Sequence, residues 1–248
     1  MDPGQITAVI LTRDEERNLP RAMTSLPHAM PVFILDAQSQ DGTVAYARAA
    51  GAAVTVRPWT DFVEARRFAL TQIDTAWTLV LDADEELDDA LRDAILSACG
   101  DVDGYRVKRN TYFRGKPIRM WSDERLLRVF RTDAVRIEAR PATGGDASLH
   151  ETYVCAGTVG DLPGTLLHYS YPDNASYRRK YRAYTSLEAG GIDASLGLVA
   201  KETVLSPARV LWNLVRRGSL LDGTRGWYVA WFSAWYPAVV AWKSLLRR

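Results

Sequence analysis

The chain has 248 residues, of which 47% are hydrophobic and 25% charged, and its formal net charge is +1 at pH 7. This composition is typical of a globular protein with a full core, either one large α/β domain or one domain with an appendage. The near-neutral charge argues against a general nucleic-acid-binding protein, and two cysteines are too few for a disulfide scaffold. The N-terminal residues lack the basic and small-residue features of a signal peptide, so none is predicted.

The first hundred residues alternate short apolar runs with helical patterns. The apolar runs predict buried parallel strands at residues 6–12, 31–35, 53–56 and 78–81. Helical periodicity follows each of them, at residues 19–26, 44–50, 61–73 and 88–99. This alternation predicts a mostly parallel central sheet that is flanked by helices.

The pattern changes after Gly100. Charged residues alternate with apolar ones, which predicts strands with mixed or antiparallel pairing at residues 104–114 and 125–131. Two short strands, a mobile loop and a basic, tyrosine-rich helix are expected at residues 152–156, 166–169, 143–146 and 177–189. We therefore predict a catalytic domain over residues 1–172 and a helical C-terminal region over residues 173–248.

The fourth predicted strand ends in carboxylates. Asp82 and Asp84 lie two residues apart, so an extended backbone would direct both side chains to one side. Ligands of open α/β sheets bind at the carboxyl ends of the strands, and paired carboxylates there can hold Mg²⁺ or Mn²⁺ with substrate phosphates. The alternative is a helix start, where acidic residues are common.

Other charged residues follow the neighbouring strands. Asp14 and Glu15 follow the first strand, Asp36 ends the second, and Arg66 lies on the helix before the fourth. A nucleotide across this edge would place Asp36 near a base or ribose donor and Arg66 near the diphosphate or base. A turn residue and a surface charge are the respective alternatives. The chain has neither GxGxxG after the first strand nor GxxxxGK[ST], which disfavours Rossmann and P-loop sites.

A general base is sought among the remaining acids. Glu151, which follows His150, is the first candidate to take a proton from an acceptor hydroxyl. Asp123 is its rival, together with Glu124. His168 lies in an apolar run and is either a neutral metal ligand or a buried core histidine.

The residues from about 200 onward are apolar, aromatic and basic. The uncharged run 227–242 contains Pro237 and is shorter than the roughly 20 apolar residues of a spanning helix. Tryptophan with flanking cations predicts an interfacial helical hairpin at an anionic membrane surface. An apolar helix packed on its own domain, or on a second subunit of a homo-oligomer, is the alternative. Five of the eight tryptophans lie here: Trp212, Trp227, Trp231, Trp235 and Trp242.

An ordered set of segments resembles the family 2 glycosyltransferases of the GT-A fold, in particular the bacterial lipopolysaccharide core β-glucosyltransferases. The segments are TRDEE (12–16), DAQSQDGT (36–43), WTDFVEAR (59–66), LDADE (81–85), RLLRVFR (125–131), HE (150–151), GTVG (157–160), LHYS (167–170) and LDGTRG (221–226). Departures from the family pattern are Asp14 for asparagine, Asp61 for glycine, Arg67 where asparagine is common, and Ala37 and Gln38 for small polar residues.

The resemblance implies roles for individual residues. Asp36 and Arg66 would contact the uridine half of a nucleotide-sugar, Asp82 would face ribose or sugar, and Asp84 would ligate Mg²⁺ or Mn²⁺. Direct displacement would invert the anomeric centre, with Glu151 as the base. Two residues of the TRDEE segment, Thr12 and Glu15, join the nucleotide-sugar-binding set.

These features predict an inverting transferase that moves a hexose, such as glucose, from a UDP-sugar to a lipid-linked or lipopolysaccharide core saccharide. It would act in the cytoplasm, peripherally at the inner face of the cytoplasmic membrane. One alternative is transfer to a polyprenyl phosphate or a protein. Another is a catalytically silent, membrane-associated nucleotide-sugar-binding protein. A haloacid-type phosphatase is disfavoured because no threonine follows Asp84.

Overall fold

A computed structural model of the chain describes residues 1–139 and 151–247. The predicted loop at 143–146 and His150 lie outside the described residues. The strands are β1 (Ile6–Thr12), β2 (Val32–Asp36), β3 (Ala53–Val56), β4 (Trp77–Asp82), β5 (Glu85–Leu87), β6 (Gly104–Phe113), β7 (Lys116–Pro117), β8 (Glu124–Arg131), β9 (Val135–Ala139), β10 (Glu151–Cys155) and β11 (Val159–Tyr171). The helices are α1 (Leu19–Thr24), α2 (Thr43–Ala49), α3 (Phe62–Leu70), α4 (Asp89–Ser97), α5 (Asn174–Gly190), α6 (Leu196–Val215) and α7 (Gly223–Leu245). Short 3-10 helices lie at Pro3–Gln5, Arg119–Trp121 and Ser219–Asp222.

One sheet dominates the described chain, with the strand order β3-β2-β1-β4-β8-β6-β11-β5 and with β7 on β6. Strands β3, β2, β1 and β4 are parallel, and nearly all residues of β1 and β4 are buried because helices cover both faces. The parallel sheet predicted from the β-α alternation is therefore confirmed.

The remaining strands extend this sheet in the opposite sense. β8 is antiparallel to β4, β6 is antiparallel to β8, and β11 is antiparallel to β5. The predicted change of pairing after residue 100 is confirmed. Strand β5 was not predicted, because its three residues are too few to show a period. Strands β9 and β10 form a separate antiparallel pair.

Aspartates start three of the helices. Asp61, Asp88 and Asp173 each accept a hydrogen bond from the backbone N–H three residues later, at 2.7–2.8 Å. Such caps satisfy amides that the first helical turn leaves without partners. Asp61, which departs from the family pattern, thus has a structural role as the N-cap of α3.

The described chain forms two compact units. The first comprises residues 1–110, 123–139 and 151–168, and its core centres on β1, β4 and α4. The second comprises residues 111–122 and 169–247, and its core is an aromatic cluster around Phe113, Tyr177 and Tyr228. The predicted division into a catalytic domain (1–172) and a C-terminal region (173–248) stays a prediction.

The C-terminal residues form two long helices, α6 and α7. Pro237 lies inside α7 without ending it. No helix in the described part of the chain is both long and apolar enough to cross a membrane.

Candidate active site

The parallel strands bring three of the predicted site residues to one edge. Thr12 at the end of β1 pairs with Asp36 at the end of β2, and Leu11 pairs with Asp82 at the end of β4. Parallel strands end at the same edge, so this arrangement follows from the order β2-β1-β4. The edge is where a ligand of such a sheet binds.

Asp36 is held by its neighbours. Thr12 Oγ1 donates to Asp36 Oδ2 at 2.7 Å, and the backbone N and Oγ of Ser39 donate to Oδ1 and Oδ2 at 2.8 and 2.6 Å. The Asp36 side chain is fully buried, yet it lines a narrow cleft with Arg57, Trp59 and other residues of the first unit. The cleft places apolar and aromatic groups beside a buried carboxylate.

The loops after β1 and β2 are joined by hydrogen bonds. The backbone N of Asp14 donates to Ser39 Oγ at 2.8 Å. The Oδ1 of Asp14 accepts from Gln40 N at 2.7 Å. Glu15 takes part through its backbone N, which donates to Thr43 Oγ1 at 2.8 Å. The Glu15 carboxylate accepts from Asn18 Nδ2 at 2.7 Å. The segments 12–16 and 36–43, which the sequence singled out separately, therefore form one rim.

Asp82 lies between two buried arginines. Arg66 pairs with its Oδ1, and Arg128 of β8 lies 3.0 Å from its Oδ2. The backbone N of Asp82 donates to Glu85 Oε2 at 2.9 Å, and Glu85 Oε1 lies 2.8 Å from the same Arg128. Glu85 is fully buried, and Arg109 lies 3.4 Å from its Oε1. The strand end is thus a linked set of charges of alternating sign.

The charges determine the protonation of this set. Burial alone would raise the pKa of Asp82, but Arg128 and Arg66 outweigh it and hold that pKa well below the usual range. Burial raises the pKa of Glu85, and Arg128 opposes this shift. The two carboxylates raise the pKa of Arg128 against the effect of its own burial. Asp82 is therefore an ionised hydrogen-bond acceptor at neutral pH.

Asp84 lies in the two-residue turn between β4 and β5. The extended backbone that the sequence predicted between Asp82 and Asp84 is therefore replaced by a turn. The turn instead places Asp84 beside β11, where His168 pairs with Glu85 across the ladder. His168 Nε2 lies 3.4 Å from Asp84 Oδ1, and both side chains are about 15% exposed.

Asp84 and His168 suit a divalent ion chemically. A carboxylate oxygen is a preferred ligand of Mg²⁺ and Mn²⁺, and an imidazole nitrogen favours a transition metal such as Mn²⁺. Among the described residues, no three His, Cys, Asp or Glu side chains form a metal-binding group. The protein would supply part of a coordination shell, and substrate phosphates and water would supply the rest.

The structure describes the two predicted general bases to different extents. Glu151 is the first residue of β10, and its side chain is not among the described groups. Asp123 has a positive φ of 63°, is 73% exposed and pairs with Lys108. The assignment of the base stays a prediction.

The sequence reasoning missed Arg128, Glu85 and Arg109 as members of the site. The RLLRVFR segment contained the signal, because an arginine among apolar residues of a buried strand needs a counter-ion. Arg125 and Arg131 of the same segment pair with exposed acids, and Arg128 alone of these three is buried. Alternation places Arg128 on the opposite face of the strand from Arg125 and Arg131, but the sequence does not show which face is covered.

A sequence profile of the family described as Glycosyl transferase family 2 matches residues 7–181. The chain belongs to this family. The predictions of a family 2 glycosyltransferase and of its GT-A fold class are confirmed. The match covers every segment of the site described above.

Several proteins resemble this family member. LpsC, a lipopolysaccharide core biosynthesis glycosyltransferase of Rhizobium meliloti, is 32% identical over 178 residues, which cover 66% of this chain and 63% of LpsC. The uncharacterized glycosyltransferase RT0209 of Rickettsia typhi is 35% identical over 199 residues, 75% of this chain and 67% of that protein. The crystal structure of S. aureus TarS matches 91% of this chain and 47% of its own, with 17% identity and a TM-score of 0.46.

Proposed function

We propose that this family 2 member transfers a hexose from a UDP-sugar to a hydroxyl of a lipid-linked or lipopolysaccharide core saccharide. The observation that carries the proposal is the pair Asp84 and His168, 3.4 Å apart at the sheet edge beside an ionised Asp82. The similarity to LpsC supports the choice of acceptor class.

Different residues at this edge bind different parts of the donor. The uracil binds at the sheet edge near Asp36, and the carboxylate of Asp82 accepts hydrogen bonds from ribose or sugar hydroxyls. Arg66 and Arg128 keep that carboxylate charged and fixed. A fixed acceptor orients the donor without reorganising during the reaction, which is the condition for efficient transfer.

Asp84 and His168 would hold Mg²⁺ or Mn²⁺. When bound, the ion offsets negative charge on the departing diphosphate. On the acceptor side, Glu151 takes the proton of the attacking hydroxyl, and direct displacement inverts the anomeric centre.

Replacing Asp84 with alanine tests the donor half. We expect Mn²⁺-dependent thermal stabilisation by UDP to disappear and donor hydrolysis to fall on the order of 100-fold, because a metal-binding carboxylate is lost. Hydrolysis of a panel of UDP-sugars measures the effect. Asp89→Ala is the matched control, since Asp89 is 86% exposed in the first turn of α4. Equal loss in both variants, or full activity in Asp84→Ala, contradicts the assignment.

We also propose that the second unit binds an anionic membrane surface. Of 17 large hydrophobic residues that are exposed within the described chain, 14 lie in the second unit. Trp227 and Trp231 lie four residues apart on α7 and are 50% and 52% exposed, and Trp212 on α6 is 57% exposed. Tryptophan favours the headgroup region of a bilayer, so this surface suits a peripheral location at the cytoplasmic membrane.

Charge on the same helices supports this partner. Arg216 lies over the Trp212 ring at 5.5 Å, which places a cation beside an exposed aromatic group. The acidic side chains of this region are engaged, since Glu202 pairs with Arg209 and Asp222 with Arg119. The surface therefore presents cations and apolar groups together, the combination that binds anionic lipid.

A vesicle experiment tests this surface. Cosedimentation with phosphatidylglycerol-containing vesicles should fall about tenfold in Trp227→Ser/Trp231→Ser, because two apolar contacts are lost. Binding should also weaken with salt. Trp59→Ser is the control, since Trp59 is exposed in the first unit. Unchanged vesicle binding with a changed oligomeric state would instead identify these helices as a subunit contact.

A further inference from the structure

The second unit contains a cavity of about 260 Å³ that the proposed chemistry does not use. It lies among α5, α7, the end of β11 and the 3-10 helix Arg119–Trp121. Its walls are almost entirely aromatic: Trp121, Tyr171, Tyr177, Tyr181, Tyr184 and Tyr236, with Ser233 and Pro237 completing them.

Ring contacts hold these walls in place. The Tyr171 ring lies 5.5 Å from Trp121 and 4.9 Å from Tyr177, and Tyr181 meets Tyr236 edge to face at 5.5 Å. Tyr177 is only 5% exposed, whereas Tyr184 is 41% exposed. The cavity is therefore preformed by rings that stabilise one another, and Tyr184 supplies its solvent-exposed side.

The polar groups that line the cavity are mostly neutral hydroxyls, and some of them are hydrogen-bonded to neighbouring side chains. Tyr236 donates to Glu188 Oε1 at 2.7 Å, and Tyr177 is hydrogen-bonded to Ser233. Burial raises the pKa of Tyr181 to about 12 and also raises the pKa of Tyr177. These hydroxyls stay protonated at physiological pH and can both donate and accept.

We infer that this cavity binds one pyranose ring of the saccharide acceptor, an inference that rests on the proposed function. A pyranose has an apolar face of C–H groups and a rim of hydroxyls, which matches aromatic faces with phenolic edges. A site for a hydrocarbon chain needs no hydroxyl groups in its walls. Five of the six rings here are tyrosines and therefore carry a hydroxyl group.

Octyl β-glucoside is the probe that distinguishes a sugar site from a hydrocarbon site, because it carries a pyranose ring and a hydrocarbon chain in one molecule. In saturation-transfer difference NMR with the full chain, ring protons should receive saturation. Tyr184→Ala and Ser233→Leu should lower that ring signal about fivefold or more, by removing one aromatic face and by filling the cavity. Leu187→Ala is the control, since Leu187 is 45% exposed on the same helix but does not line the cavity.

Unchanged ring signals in both cavity variants overturn the inference. Loss confined to the octyl protons also overturns it, by identifying a hydrocarbon site. Thermal stabilisation by UDP and Mn²⁺, measured on the same samples, reports separately on the proposed function. If UDP and Mn²⁺ stabilise the parent but the ring signals are unaltered in the variants, the proposed donor site is supported. Only the inferred saccharide subsite is then contradicted. In transfer assays, the acceptor KM should rise in both variants while the donor KM stays unchanged.

Discussion

Arg128→Met is expected to lower the free energy of unfolding by about 3–5 kcal/mol, because it leaves buried carboxylates without their shared cation. Arg128 lies 3.0 Å from Asp82 and 2.8 Å from Glu85, and Glu85 has no exposed surface. Methionine fills much of the same volume, so the loss reports on charge more than on packing. Denaturant unfolding followed by tryptophan fluorescence measures it.

Arg125→Met on the same strand is the matched control. Its pair with Asp161 is more than half exposed on both sides, and such pairs contribute about 0–1 kcal/mol. Equal losses of stability in the two variants would show that the buried network contributes no more to stability than an exposed ion pair.

Acidification should reveal the origin of this loss. In the parent the pKa of Asp82 is depressed, so its contribution to stability is present above the ordinary aspartate range and is lost only as the pH falls below it. Burial already raises the pKa of Glu85 and Arg128 opposes that shift, so without Arg128 the buried Glu85 charge costs more and protonation of Glu85 stabilises the variant. The difference in stability between parent and variant should therefore shrink toward acidic pH. A difference that does not depend on pH would point to a packing defect instead.

Glu151→Gln is expected to lower sugar transfer by about 10²–10⁴-fold while the affinity for UDP stays unchanged. Glutamine keeps the size of the side chain but cannot accept the proton of the acceptor hydroxyl. Isothermal titration with UDP and Mn²⁺ measures donor binding, and initial rates with a saccharide acceptor measure transfer. The acidic limb of the pH profile of kcat/KM should disappear with the carboxylate.

The rival base provides the comparison. Asp123 is 73% exposed and paired with Lys108, so Asp123→Asn should change transfer by only about threefold or less, as a solvated pair contributes little. Unchanged transfer in Glu151→Gln together with a large loss in Asp123→Asn would move the base to Asp123.

The parallel half of the sheet could be predicted because each of its strands carries the signal within itself. The residues of β1 and β4 are mostly apolar and nearly all buried, since both faces of these strands are covered, and the acids at or after their ends mark the edge. The strand ends then meet because the strands are parallel, which places Thr12, Asp36 and Asp82 at one edge.

The direction of individual side chains was harder to predict. The turn at Asp84 was not recognised because β5 has only three residues, too few to show the period of a strand. Arg128 was not distinguished from Arg125 because both lie in one short segment, and the sequence does not show which face of that strand is covered. Burial separates them, and burial depends on the neighbouring strands.

The sequence by itself determined the family, the parallel strands and the edge at which their acids lie, because these depend on local periodicity and on residues close together in the chain. Only the tertiary structure decided that His168 lies 3.4 Å from Asp84 and that Arg128 joins Asp82 to Glu85. Both contacts link segments far apart in sequence, across antiparallel ladders whose register no local pattern specifies. The physical reason is that the packing of the surrounding strands determines which cation or imidazole lies beside a carboxylate. That packing is a property of the whole sheet.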